Sequence, residues 1–145
     1  MKALRSLRQL LEIRNLRADN LSRSLSEARA DVERAREGET KASEALDIAA
    51  NRAAGNPVVD ALRKDGVLSA AELQDALMRQ SVLRSHEADA GISLEQRKAT
   101  RLATQERAEQ AAADFSRAQK AVLRTEFSLE AAEKLTPRTG VGQDH

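Results

Sequence analysis

Apolar residues recur at alternating intervals of three and four from Leu4 to Ala53. The series is Leu4, Leu7, Leu11, Arg14, Ala18, Leu21, Leu25, Ala28, Val32, Ala35, Glu39, Ala42, Leu46, Ala49 and Ala53. Only Arg14 and Glu39 break it. A seven-residue repeat with its a and d positions filled over seven heptads predicts a coiled-coil helix rather than an ordinary amphipathic one. A seam two residues wide cannot bury itself, so it requires a partner helix. The second half of the chain supplies a matching series: Leu73, Ala76, Gln80, Leu83, Glu87, Ala90, Leu94, Arg97, Arg101, Thr104, Ala108, Ala111, Phe115, Ala118, Val122, Thr125, Leu129 and Ala132. Its middle, Arg97 to Thr104, is polar. There the heptad slips or the coil is weak.

Helix boundaries follow from the punctuation. The first helix is predicted over about residues 3–54, with Gly55 suited to a left-handed C′ position and Pro57 unable to continue the helix. Gly38 lies inside it, at a cost of about 1 kcal/mol against Ala, and a local bend fits there. Asn56 is a good N-cap and Pro57 is pre-shaped for the first helical position, so a short helix is predicted over 57–65, closed by Gly66. Ser69 and Glu72 make a capping box, and Leu68 with Leu73 a hydrophobic staple, which together open a last helix over about 69–135. Thr136-Pro137 ends it, and residues 136–145 read as a disordered tail. The predicted fold is all-α: a long antiparallel two-helix coiled-coil hairpin with a short helix at the tip, in a single domain over residues 1–135.

In an antiparallel pair a faces d′. One alignment sets Leu7 against Leu129, Leu21 against Phe115, Leu25 against Ala111, Ala42 against Leu94, Leu46 against Ala90 and Ala53 against Leu83. Large residues then often meet small ones. Both polar breaks are accommodated, since Glu39 faces Arg97, with Asp31 and Arg107 near by; against it, Arg36 falls near Lys98. The same alignment predicts a rod of roughly 100 Å, with both termini at one end. At the other end the short helix would pack Val58, Val59 and Leu62 on Leu73, Ala76 and Leu77.

Composition narrows the functional classes. The chain has two Phe and no Tyr or Trp, which suits a thin core better than a compact globular one. The net charge of +1 gives no electrostatic case for nucleic acid. With no cysteine there is no disulfide framework and no thiolate chemistry. Nothing approaches a transmembrane span, and Arg5, Arg8 and Arg14 interrupt any signal-peptide core. The expectation is a cytoplasmic protein, monomeric in isolation.

Catalytic and cofactor signals are missing too. His86 and His145 are the two histidines, and His86-Glu87-Ala88-Asp89 lacks the second His of a zinc-protease helix. No Gly-rich phosphate loop and no Ser-His-Asp arrangement occur. Carboxylates sit on helix faces where Lys and Arg can pair with them. The chain is read as not an enzyme, with no cofactor and no metal. One asymmetry stands out: the first seventeen residues hold Lys2, Arg5, Arg8, Arg14 and Arg17 against Glu12 alone. Either these arginines pair with Glu126, Glu130 and Glu133 of the last helix, or they form a basic end that docks into an acidic partner. The candidate partner-binding residues are therefore Arg5, Arg8, Arg14 and Arg17 at the base, with Val58, Val59 and Leu62 at the tip.

Together the size, the hairpin layout and three stretches carry a resemblance. These are Ser6-Leu7-Arg8-Gln9-Leu10-Leu11-Glu12-Ile13-Arg14 through Leu21, Leu68-Ser69-Ala70-Ala71-Glu72-Leu73, and Leu83-Arg84-Ser85-His86-Glu87-Ala88. The chain resembles the central stalk proteins of type III secretion and flagellar export, the YscO/FliJ class, over nearly its whole length. The resemblance implies a rod inserted in the pore of a hexameric secretion ATPase, coupling it to the export gate and to secretion chaperones without hydrolysing anything itself. The paired helix ends around Arg5, Arg8 and Arg14 would face the ring, and the tip from Val58 to Leu77 other partners. The missing Tyr and Trp and the short tail depart from that family. The alternative is a structural coiled-coil scaffold or a clamp-type interaction module. Residues 56–68 show no alternating strand pattern, which counts against a clamp subunit. Gly55-Asn56-Pro57 counts against an uninterrupted parallel dimer.

Overall fold

The computed structural model describes residues 2–136, and these are all helical apart from short connections. Three helices follow in order: α1 Lys2–Ala54, α2 Pro57–Asp65 and α3 Ala70–Leu135. The two long helices pack against each other. The predicted tail falls outside the described residues except for Thr136. That residue still closes the last turn of α3, its backbone N–H donating to the Ala132 carbonyl at 3.1 Å.

Local chemistry sets the ends of the short helix. Asn56 is extended, and its side chain accepts from the Val58 and Val59 amides at 3.1 and 3.3 Å. Gly66 closes α2 in the left-handed conformation, φ 73°, with its N–H on the Leu62 carbonyl at 2.8 Å. Only glycine takes that φ without steric cost. Gly55 does not share it: among the described residues Gly66 is the one glycine with positive φ. The expected left-handed stop after α1 is therefore corrected. The helix ends because Asn56 must be extended to cap α2, and Pro57 offers no N–H to carry α1 onward. At α3, Ser69 Oγ accepts from the Glu72 amide at 3.2 Å. This is the first of the two capping-box bonds; Glu72 does not return the second.

The heptads of α1 hold without a break. All fifteen seam positions are buried or half-buried, with Ala18, Leu25 and Val32 the deepest. Off-seam residues such as Ile13 and Leu16 face water. In α3 the seam is kept at every position but two, Leu73 and Arg97, which are exposed. Beside Arg97 the neighbouring Lys98 is half-buried instead. The polar middle is thus a local step of one residue, and the original phase returns at Arg101.

Two compact units divide the chain, one formed by its two ends, up to Ala30 and from Gln105, the other by Asp31–Thr104. In the first, Arg8 meets Glu133 at 3.5 Å and Arg14 donates to the Ala121 carbonyl at 3.1 Å. In the second, Glu39 pairs with Arg101. The expected Glu39–Arg97 pair is corrected to this one. Gly38 has no side chain, and the Arg97 chain occupies the space above it, with Nη1 3.3 Å from where a Cβ would stand. Arg101, one turn further along, reaches Glu39 in its place. Asp31 and Arg36, placed by the sequence near Arg107 and Lys98, pair within their own helix with Arg34 and Glu33.

Gly38 generates a stability prediction. The atoms nearest a new Cβ belong to the mobile end of Arg97, itself exposed. Gly38→Ala is expected to stabilise the protein by about 1 kcal/mol through the lower entropy of the unfolded chain. Thermal unfolding followed by circular dichroism checks it. A lower melting temperature would mean that the Arg97 side chain is locked over Gly38.

Candidate functional site

Two surfaces hold the residues singled out by the sequence. At the base, Arg5 and Arg17 are exposed and make no ion pair among the described residues. Arg8 reaches Glu133, with both side chains about half exposed or more. Such a pair contributes little to stability. Glu130 turns instead to Lys134 of its own helix, at 3.4 Å. The proposed neutralisation of the basic end by α3 is thus made at Arg8 and not at Arg5 or Arg17.

Arg14 behaves differently from the other three. It occupies a d position, so its stem enters the seam. Its Nη1 donates to the Ala121 carbonyl and to Thr125 Oγ1. Thr125 is only 2% exposed, and its hydroxyl donates to the Ala121 carbonyl at 2.9 Å. A hydroxyl has one proton and two lone pairs, so Thr125 satisfies both bonds at once. The guanidinium is accordingly held inside the helix pair by neutral oxygens. Beside it, Arg17, Leu21, Asp114, Arg117 and Ala118 border a shallow depression. Arg117 is tied to Asp114 within α3. Of the four base arginines, then, Arg5 and Arg17 are exposed and unpaired among the described residues, Arg8 meets Glu133, and Arg14 is committed to the seam.

The tip belongs to the second unit. Ala76 is fully buried, and on α2 the less exposed positions are Pro57, Val58 and Ala61. Val59 and Leu62 remain 37% and 43% exposed. Of the three residues expected to pack on α3, Val58 is half-buried while Val59 and Leu62 are exposed, as are Leu73 and Leu77 on α3. Between α2 and α3 lies an open groove. Pro57, Ala61, Leu68, Met78 and Val82 form its apolar wall, and Asp60, Lys64, Asp75 and Arg79 stand among its charged residues. Met78 and Val82 lie off the a and d positions, so the heptad pattern does not mark them. Their own spacing of four, off the seam, was the available signal.

Among the described residues, no three His, Asp or Glu side chains gather as a metal-ligating group. No helix is long and apolar enough to cross a membrane. His86 borders a small surface depression with Ile48, Arg52 and Leu83. Compared with known proteins, the chain matches no family model, no curated protein and no solved structure.

Among the described residues the Glu39–Arg101 ion pair is the most withdrawn from water, its side chains being 22% and 27% exposed. A double-mutant cycle with Glu39→Gln and Arg101→Gln is expected to give a coupling of about 1 kcal/mol. Urea unfolding of the four proteins measures it. Additive losses would show that the two groups are hydrated separately in solution.

Proposed function

We propose that the chain is an antiparallel coiled-coil hairpin that serves as the non-enzymatic central stalk of a type III secretion system. It acts in the cytoplasm, inserts into a hexameric secretion ATPase, and couples that ring to the export gate and to chaperones. The antiparallel reading is supported by partner numbers that fall along α3 as they rise along α1: Arg8 with Glu133, Arg14 with Thr125, Glu39 with Arg101. The observation that carries the functional reading is the pair of exposed cations Arg5 and Arg17, which no ion pair ties to α3 among the described residues, whereas Arg8 is tied to Glu133. A stalk meeting the wall of a ring needs charge that orients it without locking it. Exposed cations facing acidic groups give association rate and orientation more than tight holding. The exposed Val59, Leu62 and Leu77 at the tip would serve a second partner.

A second reading, a coiled-coil scaffold, is favoured by the off-seam apolar residues Ile13, Leu16 and Phe127, all more than half exposed. Such residues suit lateral association with other helices.

Arg5→Glu with Arg17→Glu separates the two. Both residues lie outside the seam, so helicity and melting are expected to stay as in the wild type. Association with a cognate secretion ATPase is expected to weaken at least tenfold and to lose most of its dependence on ionic strength. Pull-down and ATPase stimulation read the effect, with circular dichroism as control. Wild-type binding by the double variant would reduce the basic base to a solvated helix face. A wild-type protein that binds no such ATPase would leave the scaffold reading in its place.

A further inference from the structure

We infer that two polar layers, Arg14 with Thr125 and Glu39 with Arg101, fix the alignment of α1 against α3 and exclude pairings displaced by a heptad. The inference rests on the paired helices of the fold and is independent of what the chain docks to.

The seam itself is nearly blind to such a displacement. Most of its a and d positions are Ala or Leu, with Val at 32 and 122 and Phe at 115. Sliding one helix by seven residues sets Ala and Leu against Ala and Leu once more. Apolar burial therefore separates the alternatives poorly, and a charged or polar residue at single a or d positions is the known physical means of choosing one. The structure has two such means, one in each compact unit.

In the first unit, Arg14 has an acceptor at Thr125 that no neighbouring heptad repeats. Moving α3 by seven residues either way brings Ala118 or Ala132 to that place, and neither has a hydroxyl. In the second unit the same slides bring Leu94 or Ala108 against Glu39 in place of Arg101. A half-buried carboxylate facing a methyl group loses its counter-ion and keeps its desolvation penalty. The spacings agree as well. Arg14 and Glu39 are 25 residues apart on α1, and Thr125 and Arg101 are 24 apart on α3. One alignment satisfies both layers. Thr104 adds no competing demand, because its hydroxyl is turned back to the Thr100 and Arg101 carbonyls of its own helix.

The test replaces both layers with aliphatic residues: Arg14→Leu, Thr125→Val, Glu39→Leu and Arg101→Leu in the full chain. The sequence has no cysteine, so Ser22→Cys and Ala113→Cys, both exposed positions of the first unit, accept a pair of spin labels. Pulsed electron paramagnetic resonance on the wild-type background is expected to give one distance. The fourfold variant is expected to melt at a higher temperature and to show a second distance population. That population arises from an axial displacement of about 10 Å, the rise of one heptad. A dimer seen by light scattering would count equally, since released pairing can be satisfied by a second copy. A folded monomer with one distance overturns the inference. Should the fourfold variant lose its helicity, Arg14→Leu with Thr125→Val alone decides by the same criterion. A single distance in that folded variant overturns the inference, and a second, smaller population supports it.

Discussion

Everything in this fold depends on the narrowness of the seam. Two residues in seven face the partner helix, and most of the others face water. The hydrophobic gain per residue is small when so little area is covered, so neither long helix holds by itself. Alanine shares the covered positions with leucine; it brings little area, yet it is the strongest helix former. The helices thus rest jointly on intrinsic propensity and on each other. The local caps at Asn56, Gly66 and Ser69 matter for the same reason, since they fix where one long helix stops and the next begins.

Against that apolar background, the polar seam residues divide by how they are satisfied. Thr104 and Thr125 return their hydroxyls to their own helix, which costs the seam little. Arg14 and Glu39 reach across to α3. Most surface ion pairs, by contrast, join residues three or four apart on one helix, as Glu95 with Lys98 and Glu130 with Lys134 do. Those pairs reinforce a helix without saying what it packs against. Specific information about the partner helix is concentrated in a few side chains.

The fold was readable because period and punctuation are local signals. The series from Leu4 to Ala53, the cap at Asn56 and the turn at Gly66 each follow from neighbours in the chain. What was not readable depends on neighbours in space. Glu39 could have met Arg97 or Arg101, one turn apart on α3; the bare Cα of Gly38, which gives Arg97 somewhere else to lie, decided it. The d position of Arg14 was legible in the heptads, but its acceptors, the Ala121 carbonyl and the Thr125 hydroxyl, lie on the other helix and were not. At the tip, Val59 and Leu62 looked as apolar as Val58. Their burial in the fold distinguished them: Val58 is half-buried and the other two are exposed. Charge and hydrophobicity are written in the sequence, but which face of a nine-residue helix turns inward depends on neighbours in space.

The thinness of the seam also governs how the chain can change over generations. A substitution at most positions of α1 meets only solvent and shifts stability by a few tenths of a kcal/mol. At the seam, the requirement is for an apolar class and an interval rather than for one side chain. Selection acting through stability therefore preserves the rhythm of the chain while leaving most of its letters free to drift. Positions that resist that drift without being apolar or capping, above all Arg14 and its threonine, would mark where identity itself is inherited.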